Sequence, residues 1–222
     1  MSTAHPAARL AAITASIAHV ADLAGRKPES VTLIAVSKTR SAEEITPLLD
    51  AGQRAFGENR VQEAQGKWPA LREAYPDVEL HLVGQLQSNK AEDAVELFDV
   101  IHAVDRPSLV KALGVAMDKT AKRPSCFLQV NIGDEPQKGG CAIADLPALI
   151  ATAREATLPV IGLMAIPPAD TEAAPYFALL AKLARDNDLT GLSIGMSSDY
   201  ETAVTIGATH VRVGTALFGP RA

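Results

Sequence analysis

Cysteine is scarce in this chain, with Cys126 and Cys141 the two in 222 residues. They form no C-x-x-C pair and sit at no metal-ligand spacing, which argues against a disulfide scaffold or a zinc site and leaves two reduced thiols. No block of like charge interrupts the sequence, and the formal net charge is −5. A nucleic-acid or anionic-membrane binder rests on a basic surface, so neither partner is expected. The longest apolar runs are only strand-length, too short to span a bilayer. The N-terminus MSTAHPAARL lacks the charged-then-apolar pattern of a signal peptide, and the expected location is the cytoplasm. No G-x-G-x-x-G turn follows any predicted strand, which disfavours an open dinucleotide-binding sheet. His5, His19, His81, His102 and His210 never fall at metal-ligand spacing, and strand-borne His81 and His210 read as hydrogen-bonded barrel or rim residues.

What is present is a globular composition, 47% hydrophobic and 21% charged. Pro6 to Leu23 predicts an amphipathic helix, with Leu10, Ile13, Ile17, Val20 and Leu23 on one face and Gly25 as its stop. From there short apolar runs alternate with helical patterns. The predicted strands are Val31–Ser37, Arg54–Gly57, Asp77–Gly84, Asp99–Val104, Ser125–Ile132, Pro159–Ile166, Leu192–Met196 and Thr209–Gly214. The helices between them are Ser41–Ala51, Asn59–Glu73, Asn89–Phe98, Pro107–Lys119, Asp145–Glu155, Thr171–Asp186 and Asp199–Ile206, with a stub after Gly214. Ser41 with Glu44, and Ser198 with Glu201, read as capping boxes. Continuous apolar strands suit burial on both faces, and repeated βα units imply right-handed parallel crossovers. Eight of them predict a closed (β/α)₈ TIM-type barrel, α/β in class, as one domain over 1–222 with an extra N-terminal helix covering part of the wall or one end.

In such a barrel the chemistry gathers at the C-terminal ends of the strands. Lys38 is the lysine that falls there. It reads either as a solvated or ion-paired cation, or as a partly desolvated amine able to form a Schiff base with a carbonyl. Arg212, inside the apolar VRVG, reads either as the ion-pair partner of a strand-end acid such as Glu58, or as a group that recognises an anion or a ring nitrogen. Ser197, Gly214 and Thr215 occupy the loops after strands seven and eight, where these barrels bind phosphate. An aldehyde-binding lysine, a phosphate cradle and an arginine between them suggest pyridoxal 5′-phosphate (PLP).

The sequence also resembles the YggS/PROSC family of PLP-binding proteins, the PLP homeostasis proteins, which are in turn similar to the N-terminal barrel of alanine racemase. The resemblance rests on AVSKTR (Ala35–Arg40), FGENRVQEAQGKW (Phe56–Trp68), LHLVGQLQSNK (Leu80–Lys90), VDR (Val104–Arg106), QVNIGDEPQKGG (Gln129–Gly140), GLMAI (Gly162–Ile166) and GMSSDYETAVTIGATHVRVGTALFG (Gly195–Gly219). It departs at Leu80, where the family usually carries an aromatic residue. The resemblance implies that Lys38 holds PLP as a Schiff base and that Arg212 faces the pyridine nitrogen. It implies that Ser197, Gly214 and Thr215 bind the phosphate, and that Asn59 and Met164 line the pocket. It further implies a protein that buffers or delivers PLP, with apo PLP-dependent enzymes as partners, and little or no turnover.

A shallow electron sink fits that expectation, because an arginine partner cannot accept a proton shared with the ring nitrogen. Alanine racemase adds a second base, a tyrosine from a β-rich domain; this sequence reaches Ala222 just past the eighth strand, and a monomer without that domain is expected. Tyr75 and Tyr176 read as packing residues, with Tyr200 nearer the mouth but on the phosphate side. Lys138 reads as a solvated loop lysine. The alternatives are a PLP-dependent amino-acid racemase and a cofactor-free aldolase-like barrel.

Overall fold

A computed structural model describes residues 5–219. Residues 1–4 and 220–222, the two ends of the expected domain, lie outside the described residues. The strands are β1 (Thr32–Val36), β2 (Ala55–Glu58), β3 (Glu79–Leu82), β4 (Val100–Val104), β5 (Ser125–Gln129), β6 (Val160–Met164), β7 (Gly191–Ser193) and β8 (His210–Val213). They form a closed barrel in chain order, all parallel, and β8 returns to β1 with Thr32 opposite His210 and Ala35 opposite Val213.

Alternation along each strand divides two cores. On β8, Val211 and Val213 join the apolar layer between barrel and helices, whereas His210 and Arg212 turn inward to meet residues of other strands. The interior is narrow and partly polar. Val100, Phe127 and Met164 make its small apolar cluster. Glycine provides the remaining clearance: a Cβ on Gly162 would lie 2.1 Å from the Gly191 carbonyl oxygen.

The outer helices are α1 (Pro6–Leu23), α2 (Ala42–Asp50), α3 (Val61–Ala74), α4 (Ala91–Leu97), α5 (Pro107–Thr120), α6 (Leu146–Glu155), α7 (Ala174–Asp186), α8 (Tyr200–Ile206) and the single turn α9 (Thr215–Phe218). Helix α1 buries Leu10, Ile13, Ile17 and Ala21 against the wall beside α8 and α9 and does not plug a barrel end. Leu23, expected on that face, is exposed, because two residues past buried Ala21 the helical period turns it to the opposite side. Arg26 then ties the exit to the Val204 and Ala208 carbonyls at 2.7 Å each. No helix among the described residues is long and apolar enough to cross a membrane.

The first capping box forms: Ser41 N–H donates to Glu44 at 2.9 Å and Glu44 N–H to Ser41 Oγ at 3.4 Å. The second does not. Asp199 accepts from the Met196 amide at 2.6 Å, the helix begins at Tyr200, and Glu201 accepts from Ser16 instead. The preceding strand stops at Ser193, earlier than expected, because Gly195 adopts a φ of 89°. Met196 and Ser197 therefore sit in the loop, not on the strand.

Candidate functional site

A cavity of about 300 Å³ opens at the C-terminal ends of the strands. Six of the seven expected site residues line it: Lys38, Asn59, Ser197, Arg212, Gly214 and Thr215, with Val36, Val83 and Ile166 as apolar walls. Met164 does not; it is fully buried against Val100 and Phe127 in the barrel interior, and Ile166 two residues on reaches the cavity.

Lys38 stands two residues past the end of β1, in a turn closed by the Arg40 N–H donating to the Ser37 carbonyl at 3.0 Å. Its neighbour Thr39 has a φ of 64°, a left-handed conformation that a β-branched residue rarely adopts. Opposite, Ser197 Oγ accepts from the Gly214 N–H at 3.3 Å and the Ala216 N–H at 3.4 Å, so these donors converge on one point of the rim. A Cβ on Gly214 would lie 3.3 Å from the Val36 carbonyl, which keeps that corner tight. Gly84 backs Asn59 in the same way, with the Asn59 carbonyl 2.3 Å from where its Cβ would be.

Arg212 is 5% exposed yet fully partnered on its inner side. It donates through Nη1 to the Ser193 carbonyl and hydroxyl at 2.6 Å each, and through Nη2 to the Ala165 carbonyl at 3.0 Å. Burial pulls its pKa down to about 10, so it stays charged at neutral pH. Of the two readings of Arg212, the ion pair with Glu58 is not formed among the described residues. Glu58 instead accepts from Ser37 Oγ at 2.6 Å and Trp68 Nε1 at 3.0 Å and pairs with Lys67 at 2.9 Å. Burial raises the Glu58 pKa against the pull of these partners.

Below Arg212 a hydrogen-bonded line crosses the barrel. Ser193 Oγ meets His102 Nδ1 at 2.9 Å, and His102 Nε2 meets His81 Nδ1 at 2.9 Å. His81 Nε2 stands 3.6 Å from Glu79 at the opposite end. Burial holds all three interior histidines neutral, His81 pushed down to about 3, His210 to about 4 and His102 well below its usual value. His81 and His210 are thus barrel residues, as expected, and among the described residues no cluster of His, Cys, Asp or Glu is arranged to hold a metal ion.

The tyrosines stand off the cavity. Tyr75 donates to Asp50, Tyr176 packs on the outer core, and Tyr200 bonds Ser16 beside α1. Lys138 is anchored rather than solvated: it donates to the Pro167 carbonyl at 2.8 Å, pairs with Glu135 at 2.6 Å, and lines a neighbouring cavity with Gln85 and Gln129. Cys126 and Cys141 are buried thiols pushed up to about 12 and about 11, a protonated and unreactive state.

The model of the alanine racemase N-terminal domain matches residues 8–222. A pyridoxal phosphate homeostasis protein of Pseudomonas aeruginosa is 41% identical over 221 residues, which cover 97% of this chain and 95% of that protein. The structure of PipY from Synechococcus elongatus with PLP bound superposes with a TM-score of 0.78 at 44% identity, covering 91% of this chain and all of that one. Alanine racemase of Clostridium difficile shares the fold at a TM-score of 0.74 and 12% identity, with 99% of this chain matched to 57% of that one.

Proposed function

The chain belongs to the alanine racemase N-terminal domain family and groups with the pyridoxal phosphate homeostasis proteins; from that premise we propose that it binds PLP reversibly through Lys38 and exchanges it with apo PLP-dependent enzymes. The observation that carries the reading is the convergence of Lys38, Arg212 and the Ser197–Gly214–Thr215 corner on one cavity. PLP supplies an aldehyde, a ring nitrogen and a phosphate, and this cavity offers a partner to each. Lys38 would hold the aldehyde, the carbonyl to which a lysine amine bonds covalently with loss of water. The Gly214 and Ala216 amides, gathered at the Ser197 hydroxyl, would hold the phosphate oxygens together with the Ser197 and Thr215 hydroxyls. Arg212, held from behind by Ser193 and Ala165, lines the cavity and would be the partner of the ring nitrogen.

That partner also limits turnover. A guanidinium that remains charged donates a hydrogen bond but takes no proton, so beside it the ring nitrogen would stay unprotonated and the electron sink that PLP supplies would be weak. Racemisation needs a second base across the substrate, and none of the tyrosines is among the cavity-lining residues. The lysine is therefore a holding group.

Two assays on the purified protein loaded with PLP test the reading. Exchange of the α-proton of amino acids in heavy water is expected at the rate of free PLP. Reactivation of an apo PLP-enzyme is expected to be faster than with an equal amount of free PLP. Accelerated α-proton exchange would make the protein a racemase-like enzyme, and unassisted reactivation would remove the delivery role.

A further inference from the structure

Lys67 lies on α3, outside the cavity lining, with its side chain 10% exposed. Two carboxylates neutralise it, Glu58 at 2.9 Å and Glu63 at 3.0 Å. Charge balance alone would be complete with these. Yet the ammonium also donates to the Ser37 and Arg40 carbonyls, at 3.0 Å each. These are the first and last residues of the turn that carries Lys38. Glu63 reaches the same turn from the same helix, accepting from the Thr39 N–H at 2.5 Å.

The turn needs holding. Its third position requires a positive φ, a place that glycine or asparagine normally fills. Threonine stands there at 64°, a conformation that persists only when its surroundings over-determine it. Helix α3 can supply that constraint because it is itself fixed: Trp68, next to Lys67, is fully buried, packs against Phe56 with the rings tilted by 51° and their centroids 5.1 Å apart, and donates to Glu58.

We propose that Lys67 is a positioning residue, which with Glu63 clamps the Ser37–Arg40 turn in its left-handed form and so sets the direction in which Lys38 enters the cavity. This rests on the reading of Lys38 as the residue that holds PLP. The competing role for Lys67 is neutralisation of buried Glu58, and one double variant separates the two. Lys67→Met with Glu58→Gln removes both charges together, so no carboxylate is left buried and unpaired, while the turn carbonyls lose their donor.

The test compares that variant with the unmodified protein in two ways. Amide hydrogen exchange without PLP reads the turn itself. The induced circular dichroism of bound PLP, with its release rate, reads the direction of Lys38. Exchange at the Thr39 and Arg40 amides is expected to rise at least about tenfold, as is PLP release, with the loss of the two charge-assisted hydrogen bonds from Lys67. The amides of β1 are expected to hold. Unchanged exchange and release in the double variant would overturn the clamp, and so would a uniform rise across the barrel, which would mark Lys67 as a packing residue. Glu63→Gln, a change at a partly exposed carboxylate, gives the same reading at the Thr39 amide where the double variant fails to fold. Failure of the unmodified protein to take up PLP would remove the Lys38 reading and leave the amide measurement to decide the clamp.

Discussion

Ser193 holds two buried groups at once, the Arg212 guanidinium and the His102 ring. It has no exposure, so its loss leaves His102 Nδ1 facing a void and one guanidinium N–H with the carbonyl alone. Ser193→Ala is expected to cost about 1–3 kcal/mol in urea unfolding, the range for orphaning a buried polar partner. The histidines below add a pH dependence. Their folded-state values are depressed, to about 3 for His81 and about 4 for His210, whereas unfolded histidine titrates near 6.5. Between those values the unfolded chain binds more protons, so stability falls as pH falls through that window and is complete above it. Glu58, raised by burial, works with the opposite sign, its contribution present at low pH and lost as pH rises through its folded value. His81→Gln is expected to flatten the acid limb, seen as a smaller change in urea midpoint between pH 7 and pH 5. An unchanged limb would show that these rings do not govern it. Of this line, His81 was legible as a hydrogen-bonded strand residue, but its connection through His102 to Ser193 was not. His102 and Ser193 are 91 residues apart, and only barrel closure brings them together. Lys38 was legible because a lysine ending an apolar strand is rare. Lys67 was not, because a glutamate four residues before a lysine reads as an ordinary helical surface pair.

At the scale of the elements, short apolar runs and their punctuation decided most boundaries. The Ser41–Glu44 box was legible because both partners are free to fold back on the helix start. Ser198–Glu201 misled because Asp199 serves the preceding turn and Glu201 serves α1. Strand β7 was overextended because its run remains apolar through Gly195, and only the positive φ of that glycine reveals the break. Met164 was grouped with the cavity because the sequence gives its place near the strand end but not its depth. Strand β6 lies close on β7, where Gly162 and Gly191 meet backbone to backbone. Neither main chain can yield to a methyl group at 2.1 Å. Gly162→Ala is expected to destabilise by about 1–3 kcal/mol or more through overpacking, measured as a lower urea midpoint. A stability equal to the parent would mean that the two strands part without loss.

For the whole molecule, the barrel was the most legible feature. Eight repeats of one pattern leave little choice of topology once crossovers are right-handed. Closure of β8 on β1 then does the functional work. It sets Arg212 opposite Ile34, two strands' ends from opposite termini, and brings the Lys38 turn beside Gly214 and Thr215 at one cavity. Residues far apart in the chain become one site because the sheet has no edges. The central claim is that this closure makes Lys38 the residue that holds PLP. The most direct measurement is borohydride reduction of the PLP-treated protein, followed by peptide mapping, beside Lys38→Ala. A pyridoxyl adduct on the peptide containing Lys38, absent from the variant, is the predicted result. An adduct on another lysine such as Lys67 or Lys138, or no adduct, would contradict it.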